Sequence, residues 1–516
     1  MIPVNLQVHL DKPVAAVPRR LFGTFVEHMG RSVYEGIFEP NHPTADTSGF
    51  RQDVLELVRE LGVTTVRYPG GNFVSGYRWE DGVGPVDERP VRLDGAWHSI
   101  ETNRIGLHEF ADWAKTAGLE LMQAVNLGTR GIAEAAELLE YANHPGGTAL
   151  SDSRRRNGAE EPFDIRLWCL GNEMDGPWQI GFKTADEYGR LAAETARYLR
   201  FIDHRVELVA AGSSNQEMPT FGTWERTVLR HTAGLIDHIS LHAYYEEIDG
   251  DVDSFLASGV GLDRYIEHVA SIIDDVVREQ GLTRSIGISV DEWNVWYVSR
   301  WNDVDKEATL SGEWSQHPRL IEDEYNVTDA VVVGSLLISL LRHADRVSMA
   351  NLAQLVNVIA PIRCEPDGPA WRQTTFYPFA LTAALARGRV MQSRIAAPDI
   401  QTSRYGSVDV VDAVSTMDDD GKIAIFVVNR STDSEIDFTA QFAADLVLES
   451  AQTVTVPAGR DRFASNNADE RPVTPRVLGH ADCTPGLAGS NLRAVLPPIS
   501  WTVLTLLPIT KDGDHG

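Results

Sequence analysis

Two glutamates follow strongly apolar segments at corresponding places in the chain. Glu173 ends the segment LWCLGNE, and Glu292 ends the segment IGISVDE. A pair of carboxyl groups across one cleft is what glycoside hydrolysis requires, because one must donate a proton while the other stays ionised and faces the anomeric carbon. A glutamate after a strand is more often a salt-bridge or helix-capping residue, so the prediction depends on the rest of the pocket.

Polar side chains also follow most of the other predicted strands. Their types suit sugar hydroxyls, since amides, carboxylates, guanidinium and imidazole groups offer both donors and acceptors. These residues are Glu27, His28, Arg67, Asn72, Asn126, Asn172, His242, Tyr244, Asn294, Asn351 and Gln354, and the nearby tryptophans Trp97, Trp296 and Trp301 could wall the site. We therefore predict a ring of polar groups that faces a single pocket. His28 and Asn126 are more simply interpreted as structural residues.

The elements that would carry these residues alternate between strands and helices. The candidate strands are Leu21–Glu27, Val63–Tyr68, Leu119–Asn126, Ile165–Asn172, Val206–Ser213, Ile236–Tyr244, Ser285–Glu292 and Arg346–Gln354. Eight such units predict a (β/α)₈ barrel, whose chemistry lies at the carboxyl ends of its strands. An open doubly wound sheet is the alternative, but no glycine-rich dinucleotide turn follows the first strand.

A different pattern begins near residue 386, where short β-rich segments are separated by Gly, Pro, Asp and Asn. It predicts a β-sandwich of the jelly-roll kind. The alternating strand at residues 4–10 needs a sheet partner and is assigned to it. The predicted division is therefore a barrel over residues 16–385 and a sandwich over residues 1–15 plus 386–516.

Composition excludes several classes of function. The chain has 516 residues with 46 Lys+Arg against 74 Asp+Glu, a formal charge of −28. That balance argues against nucleic acid and anionic membrane surfaces and leaves neutral ligands open. Three cysteines fit neither a disulfide framework nor a cysteine zinc site. No secretory signal is evident at the N-terminus, so we expect a cytoplasmic protein, and no motif calls for a cofactor or a metal.

Several longer motifs resemble family 51 of the glycoside hydrolases, the retaining α-L-arabinofuranosidases. They include FGTFVEHMGR, VRYPGGNFVSGYRWEDGVGP, WHSIETNRIGLHEF, LWCLGNEMDGPWQIG, SLHAYY, VDEWNVWY and MANLAQLVNVIAPI. The resemblance covers nearly the whole chain. It implies a (β/α)₈ barrel with a C-terminal β-sandwich, homo-oligomers that are often hexamers, and arabinofuranosyl oligosaccharides or polysaccharides as substrates.

The resemblance also implies roles for individual residues. Glu173 would be the acid/base and Glu292 the nucleophile of a double displacement, with their carboxyl groups roughly 5–5.5 Å apart. Tyr244 and Arg67 would keep Glu292 ionised, and Asn172 would hold the 2-hydroxyl. Sugar binding is implied for Glu27, Arg67, Asn72, Asn172, Tyr244 and Gln354, with His242 and Trp296 lining the site. Arg104 stands where the family pattern leads us to expect an acidic residue. The sugar preference of the accessory subsites is therefore not fixed by the resemblance.

Three other functions remain as alternatives at this stage. A β-xylosidase or endoglucanase could use the same catalytic residues, and only the pocket shape would separate them. A metal-dependent barrel hydrolase could use His242, Glu173 and Glu292 as ligands, although the chain has no HExxH motif. A non-catalytic sugar-binding protein is the third alternative. Because both carboxylates are present, its lack of activity would need some other defect.

Overall fold

The computed structural model describes residues 1–479, 482–485 and 491–509. The strands of this part of the chain are β1 Ile2–Ala16, β2 Gly23–Phe25, β3 Thr65–Tyr68, β4 Arg92–Asp94, β5 Ser99–Glu101, β6 Glu120–Val125, β7 Leu167–Leu170, β8 Glu207–Ala210, β9 His238–Tyr245, β10 Gly287–Val295, β11 Val347–Ala353, β12 Ile362–Cys364, β13 Ala370–Arg372, β14 Arg389–Ala396, β15 Asp399–Thr402, β16 Gly406–Asp409, β17 Val411–Met417, β18 Ile423–Asn429, β19 Ile436–Gln441, β20 Leu446–Thr455, β21 Arg476–Val477, β22 Cys483–Pro485, β23 Asn491–Leu496 and β24 Ser500–Pro508.

The helices surround the barrel or connect its strands. They are α1 Gln52–Leu61, α2 Leu107–Ala117, α3 Ile132–Asn143, α4 Ala149–Arg156, α5 Ala185–Ile202, α6 Thr223–Thr232, α7 Val252–Leu256, α8 Ser258–Glu279, α9 Val298–Arg300, α10 Lys306–Ser311, α11 Val327–Arg342 and α12 Phe376–Leu385. None of the helices in these residues combines the length and the apolar character that crossing a membrane needs.

Eight parallel strands close into a barrel in the order β10, β11, β2, β3, β6, β7, β8, β9. Each lies within or overlaps one of the eight predicted ranges, so the predicted (β/α)₈ fold is confirmed. The local pattern explains the agreement. All four residues of β7 are buried, and α1 buries Val54, Leu55, Leu57, Val58 and Leu61 before it ends at Gly62, whose φ of +77° suits glycine.

A second, mostly-strand domain follows the barrel. Its ten-stranded sheet runs in the order β21, β20, β24, β18, β17, β14, β1, β19, β23, β22. The N-terminal strand β1 lies inside this sheet, antiparallel to β14 and parallel to β19. The division into residues 16–385 and 1–15 plus 386–516 stays a prediction, and residues 510–516 lie outside the described part.

Helix α11 of the barrel packs directly against this sheet. At Gly334 a Cβ atom would overlap the indole of Trp501 on β24, so glycine permits the close approach. Arg342, the last residue of α11, pairs with Asp263 of α8 and with Asp412 of β17. Apolar packing and the half-buried ion pairs of Arg342 therefore both fix the sheet against the barrel.

Candidate active site

A cavity of about 610 Å³ opens at the carboxyl ends of the barrel strands. Its volume lies in the range typical of small-molecule sites. Eight of the ten predicted site residues line it, namely Glu27, Asn72, Glu173, His242, Tyr244, Glu292, Trp296 and Gln354. The other two, Arg67 and Asn172, are buried and contact Glu292 or each other. The fold thus gathers the predicted residues at one place.

Glu292 lies on β10 and is buried between donors. Arg67 donates to one carboxylate oxygen at 2.8 Å, and the hydroxyl of Tyr244 donates to the other at 2.7 Å. Burial alone raises the pKa of Glu292, but the positive charges of His242 and Arg67 and these hydrogen bonds outweigh it, and the pKa is lowered. Glu292 is therefore held in its ionised form.

Glu173 follows β7 and has a φ of +43°, a strained value for a residue with a side chain. One of its carboxylate oxygens lies 2.9 Å from Nδ1 of His242, and the other accepts a hydrogen bond of 2.7 Å from the indole Nε1 of Trp178. Trp178 is 47% exposed at the mouth of the cavity. The environment of Glu173 therefore differs from that of Glu292, since no arginine contacts Glu173 within the described residues.

His242 lies between the two glutamates. Its Nδ1 is 2.9 Å from Glu173 and 3.6 Å from Glu292. Burial lowers the pKa of His242, but the negative charges of Glu292 and Glu173 raise it by more, so the net shift is upward. One carboxylate oxygen of each glutamate and a ring nitrogen of His242 all lie within 4.8 Å of one another.

Glu27, after β2, also lines the cavity. Its Oε1 accepts hydrogen bonds from the backbone N–H of Phe73 at 2.9 Å and from the indole of Trp97 at 2.8 Å. Burial raises the pKa of Glu27 to about 8 in spite of these two donors. Gln354 donates to the other oxygen at 3.4 Å. The carboxyl group of Glu27 can therefore be protonated near neutral pH, and it can then donate a hydrogen bond as well as accept one.

A buried polar layer lies behind Glu292. Asn172 accepts a hydrogen bond of 2.6 Å from Arg67, while its own Nδ2 has no partner within the described residues. Asp291 lies 3.9 Å from Nε of Arg67 and accepts a hydrogen bond from Ser289. This layer fixes Arg67 in place, and the free amide of Asn172 remains a donor that a ligand could use.

Other predicted strand-end residues have structural roles. His28 contacts Glu101 at 2.9 Å and the hydroxyl of Tyr68 at 2.8 Å, and Asn126 bonds the backbone of its own loop. Asn294 donates to two backbone carbonyls. Arg104 is exposed and is not among the residues that line the cavity. Sequence reasoning missed Trp178, although its place in GNEMDGPWQ, five residues after Glu173, was a usable signal.

Comparison with known proteins gives consistent matches. The profile described as Alpha-L-arabinofuranosidase 1 domain matches residues 57–256, and that described as Alpha-L-arabinofuranosidase C-terminal domain matches residues 291–500. An intracellular exo-alpha-(1->5)-L-arabinofuranosidase of Streptomyces lividans is 56% identical over 95% of this chain and 73% of its own length. An exo-alpha-(1->6)-L-arabinofuranosidase of Bifidobacterium longum is 54% identical over 97% of this chain and 96% of its own.

Solved structures agree with these matches. A family 51 alpha-L-arabinofuranosidase from Bifidobacterium longum superposes with a TM-score of 0.92 at 46% identity, over 98% of this chain and 99% of that one. An alpha-L-arabinofuranosidase from Thermotoga maritima, solved with arabinose, superposes with a TM-score of 0.83 at 31% identity, over 98% and 99% of the two chains.

Proposed function

This chain belongs to the α-L-arabinofuranosidases of glycoside hydrolase family 51 and is an exo-acting α-L-arabinofuranosidase; we propose that it works by double displacement, with Glu292 as nucleophile and Glu173 as acid/base. The observation that carries the proposal is that one carboxylate oxygen of Glu173 and one of Glu292 lie within 4.8 Å of each other. Retaining enzymes hold these groups roughly 5–5.5 Å apart, whereas inverting enzymes need about 6.5–9.5 Å to admit a water.

The two environments support this division of roles. Glu292, ionised by its contacts with Arg67 and Tyr244, attacks the anomeric carbon and forms an ester bond as the glycosidic bond breaks. Glu173 gives its proton to the departing oxygen. In the second half, Glu173 takes a proton from water, the water oxygen bonds to the anomeric carbon, and Glu292 leaves as a carboxylate. The proton taken from water restores the acid form of Glu173 for the next turnover, and Nδ1 of His242, 2.9 Å away, positions its carboxyl group.

The terminal furanose ring would lie against the closed end of the cavity. Glu27, Asn72 and Gln354 offer it both donors and acceptors, and Trp296 packs edge-on against Tyr244 to form an apolar wall. The unpaired Nδ2 of Asn172 supports its proposed bond to the 2-hydroxyl, where contacts strengthen in the transition state.

For the substrate, we propose short arabinofuranosyl oligosaccharides, with arabinoxylan and arabinan as polymeric sources of the same terminal residue. The relatives' names give a (1->5) linkage in several cases and a (1->6) linkage in another. We propose a cytoplasmic location because several relatives are named intracellular, and a homo-oligomer, with a hexamer as the form the family suggests.

Paired substitutions test the catalytic roles. Glu292→Ala should abolish turnover of nitrophenyl α-L-arabinofuranoside. Glu173→Ala should lose most activity on poor leaving groups, and azide should rescue it by attacking the glycosyl-enzyme without base assistance. The exposed Glu324→Ala serves as the control. Wild-type turnover in Glu292→Ala, an absence of azide rescue, or an inverted anomer in the first product seen by proton NMR would each contradict the assignment.

Two alternatives are separated by simple assays. Family membership favours the arabinofuranoside over the β-xyloside, and a comparison of the two nitrophenyl glycosides measures the preference. The cluster of Glu173, His242 and Glu292 has a spacing that a metal ion could use. However, a ligand nitrogen must be free of its proton, and the negative charges of Glu292 and Glu173 raise the pKa of His242, which makes its ring harder to deprotonate. We therefore expect activity to survive EDTA, and loss restored by a divalent metal would favour the metal-dependent alternative.

A further inference from the structure

A hairpin of the second domain reaches the rim of the active-site cavity. Strands β15 and β16 pair only with each other in the described part of the chain and stand apart from the ten-stranded sheet. The turn between them is Ser403-Arg404-Tyr405, and Arg404 is one of the residues that line the cavity of the catalytic glutamates. The barrel alone therefore does not complete this cavity.

The barrel makes specific contacts with this turn. The backbone N–H groups of Ser403 and Arg404 both donate to Oγ of Ser254, at 3.1 and 3.2 Å, and the Ser403 hydroxyl bonds Asp251. On the other side, the Tyr405 ring lies against Gly261, where a Cβ atom would come within 2.9 Å of it. Arg264 donates to the Tyr405 carbonyl at 3.0 Å. These contacts hold the position of Arg404.

Arg404 faces Glu217, which lies in the loop after β8. Its guanidinium donates to a Glu217 oxygen at 2.6 Å, and both side chains remain partly exposed to solvent. In the described part of the chain this is the one side-chain bond of Arg404, although a guanidinium has five N–H donors. The pair therefore offers further donors and a carboxylate acceptor to a ligand in the cavity.

The loop that carries Glu217 is tied to the loop that carries Glu173. Asp175, two residues beyond Glu173, accepts a hydrogen bond of 3.1 Å from the backbone N–H of Ser214. The acid/base delivers its proton to the leaving oxygen, so this side of the cavity is where the leaving group must exit. Arg404 and Glu217 thus lie on the path of the sugars beyond the cleaved bond.

We propose that Arg404 and Glu217 form an outer subsite that holds the hydroxyls of a neutral sugar on the leaving-group side of the cleaved bond. The ligand is neutral because Glu217 already balances the arginine charge and Glu246 also lines this region, so a uronate would meet like charge. The subsite rests on the proposed function, and it makes the second domain a contributor to substrate choice.

The test compares a substrate that reaches the subsite with one that does not. We would measure kcat/KM on linear arabinotriose and on nitrophenyl α-L-arabinofuranoside for the wild type, Arg404→Ala and Glu217→Gln. Arg404→Ala should lower the ratio of the two values about tenfold, as the loss of a charge-assisted bond would do. Glu217→Gln should lower it by less, because an amide still accepts a hydrogen bond.

Arg460→Ala is the matched control, because it also breaks an exposed arginine–glutamate pair, with Glu470, but Arg460 does not line the cavity. Its ratio should equal that of the wild type. The subsite is overturned if Arg404→Ala changes both substrates equally, if it changes neither, or if Arg460→Ala lowers the ratio as much. A wild-type enzyme inactive on the nitrophenyl glycoside would overturn the proposed function, and the subsite with it.

Discussion

The hydroxyl of Tyr244 offers the sharpest test of how the nucleophile is kept ionised. It donates at 2.7 Å to Oε2 of Glu292, and its own pKa is raised well above the usual range, first by burial and then by the charge of Glu292. It therefore stays a neutral donor throughout the working pH range. Tyr244→Phe removes this one hydroxyl and keeps the ring that packs against Trp296 at 5.1 Å.

The size of the effect follows from the contacts that remain. The other oxygen of Glu292 keeps its bond to Arg67. Among the described residues, Oε2 is left with only the ring nitrogen of His242, at 3.6 Å, which is beyond a normal hydrogen bond. A hydrogen bond to a charged group contributes about 1.5–3 kcal/mol. Its loss should therefore raise the proton affinity of Glu292 roughly ten- to a hundredfold.

The sign of the pH effect is fixed by the lowered pKa of Glu292 in the native enzyme. A carboxylate with a lowered pKa stays ionised until the solution becomes more acidic than usual, so activity persists to low pH. Removal of a donor raises that pKa, and activity should then be lost at a higher pH as the solution is acidified. The acid limb of the kcat/KM profile reports this ionisation in the free enzyme.

Tyr245→Phe is a close control. Tyr245 is the next residue on β9, is buried, and its hydroxyl has no hydrogen-bond partner in the described residues. It should leave the acid limb in place. If the Tyr244→Phe profile coincides with that of the wild type on its acid side, the hydroxyl does not hold Glu292 ionised and the electrostatic argument is wrong.

Two glycines give further predictions. In Gly71→Ala the new Cβ would lie 3.1 Å from Oε1 of Glu292 and 3.2 Å from Oε2 of Glu27, so both carboxylates must shift. We expect kcat/KM to fall about ten- to a hundredfold with little change in melting temperature. Unchanged kinetics would show that catalysis tolerates such a shift of the carboxylates. In Gly334→Ala the new methyl group would overlap Trp501, and we expect the free energy of unfolding, measured by denaturant titration, to fall by about 1–3 kcal/mol. Gly234 has open space around it, so Gly234→Ala should leave the free energy of unfolding unchanged.

The barrel could be predicted because its sequence pattern is strictly local. Each strand is a short apolar run, and helices such as α1 and α2 end at Gly62 and Gly118, both with φ near +80°. Most barrel strands are shorter than the predicted ranges, and β2 covers only Gly23–Phe25 of the predicted Leu21–Glu27. Strand β10 is the exception, since it continues to Val295, beyond the predicted end at Glu292. The predicted ranges are longer because apolar residues continue beyond the last backbone hydrogen bond between the strands. Residues on either side of the paired segment are also buried.

The site was predictable in part for the same reason. Barrel geometry places every strand end at one mouth, so any polar residue there is a candidate. That rule cannot tell Glu27, which faces the cavity, from its neighbour His28, which turns to Glu101 and Tyr68. Adjacent residues near a strand end point to opposite sides, and a shift of one residue decides between a ligand contact and a structural one.

The buried layer behind the nucleophile could not be read from the strand pattern. Asp291 directly precedes Glu292, and the alternation of a strand predicts that it points away from the site. In fact it lies 3.9 Å from Nε of Arg67, inside the barrel, where β10 departs from regular register between Val290 and Glu292. A bulge of this kind re-aims side chains next to active sites. The bulge therefore allows two consecutive carboxylates to lie next to Arg67. Glu292 is the reacting group, and Asp291 helps to hold the arginine in place.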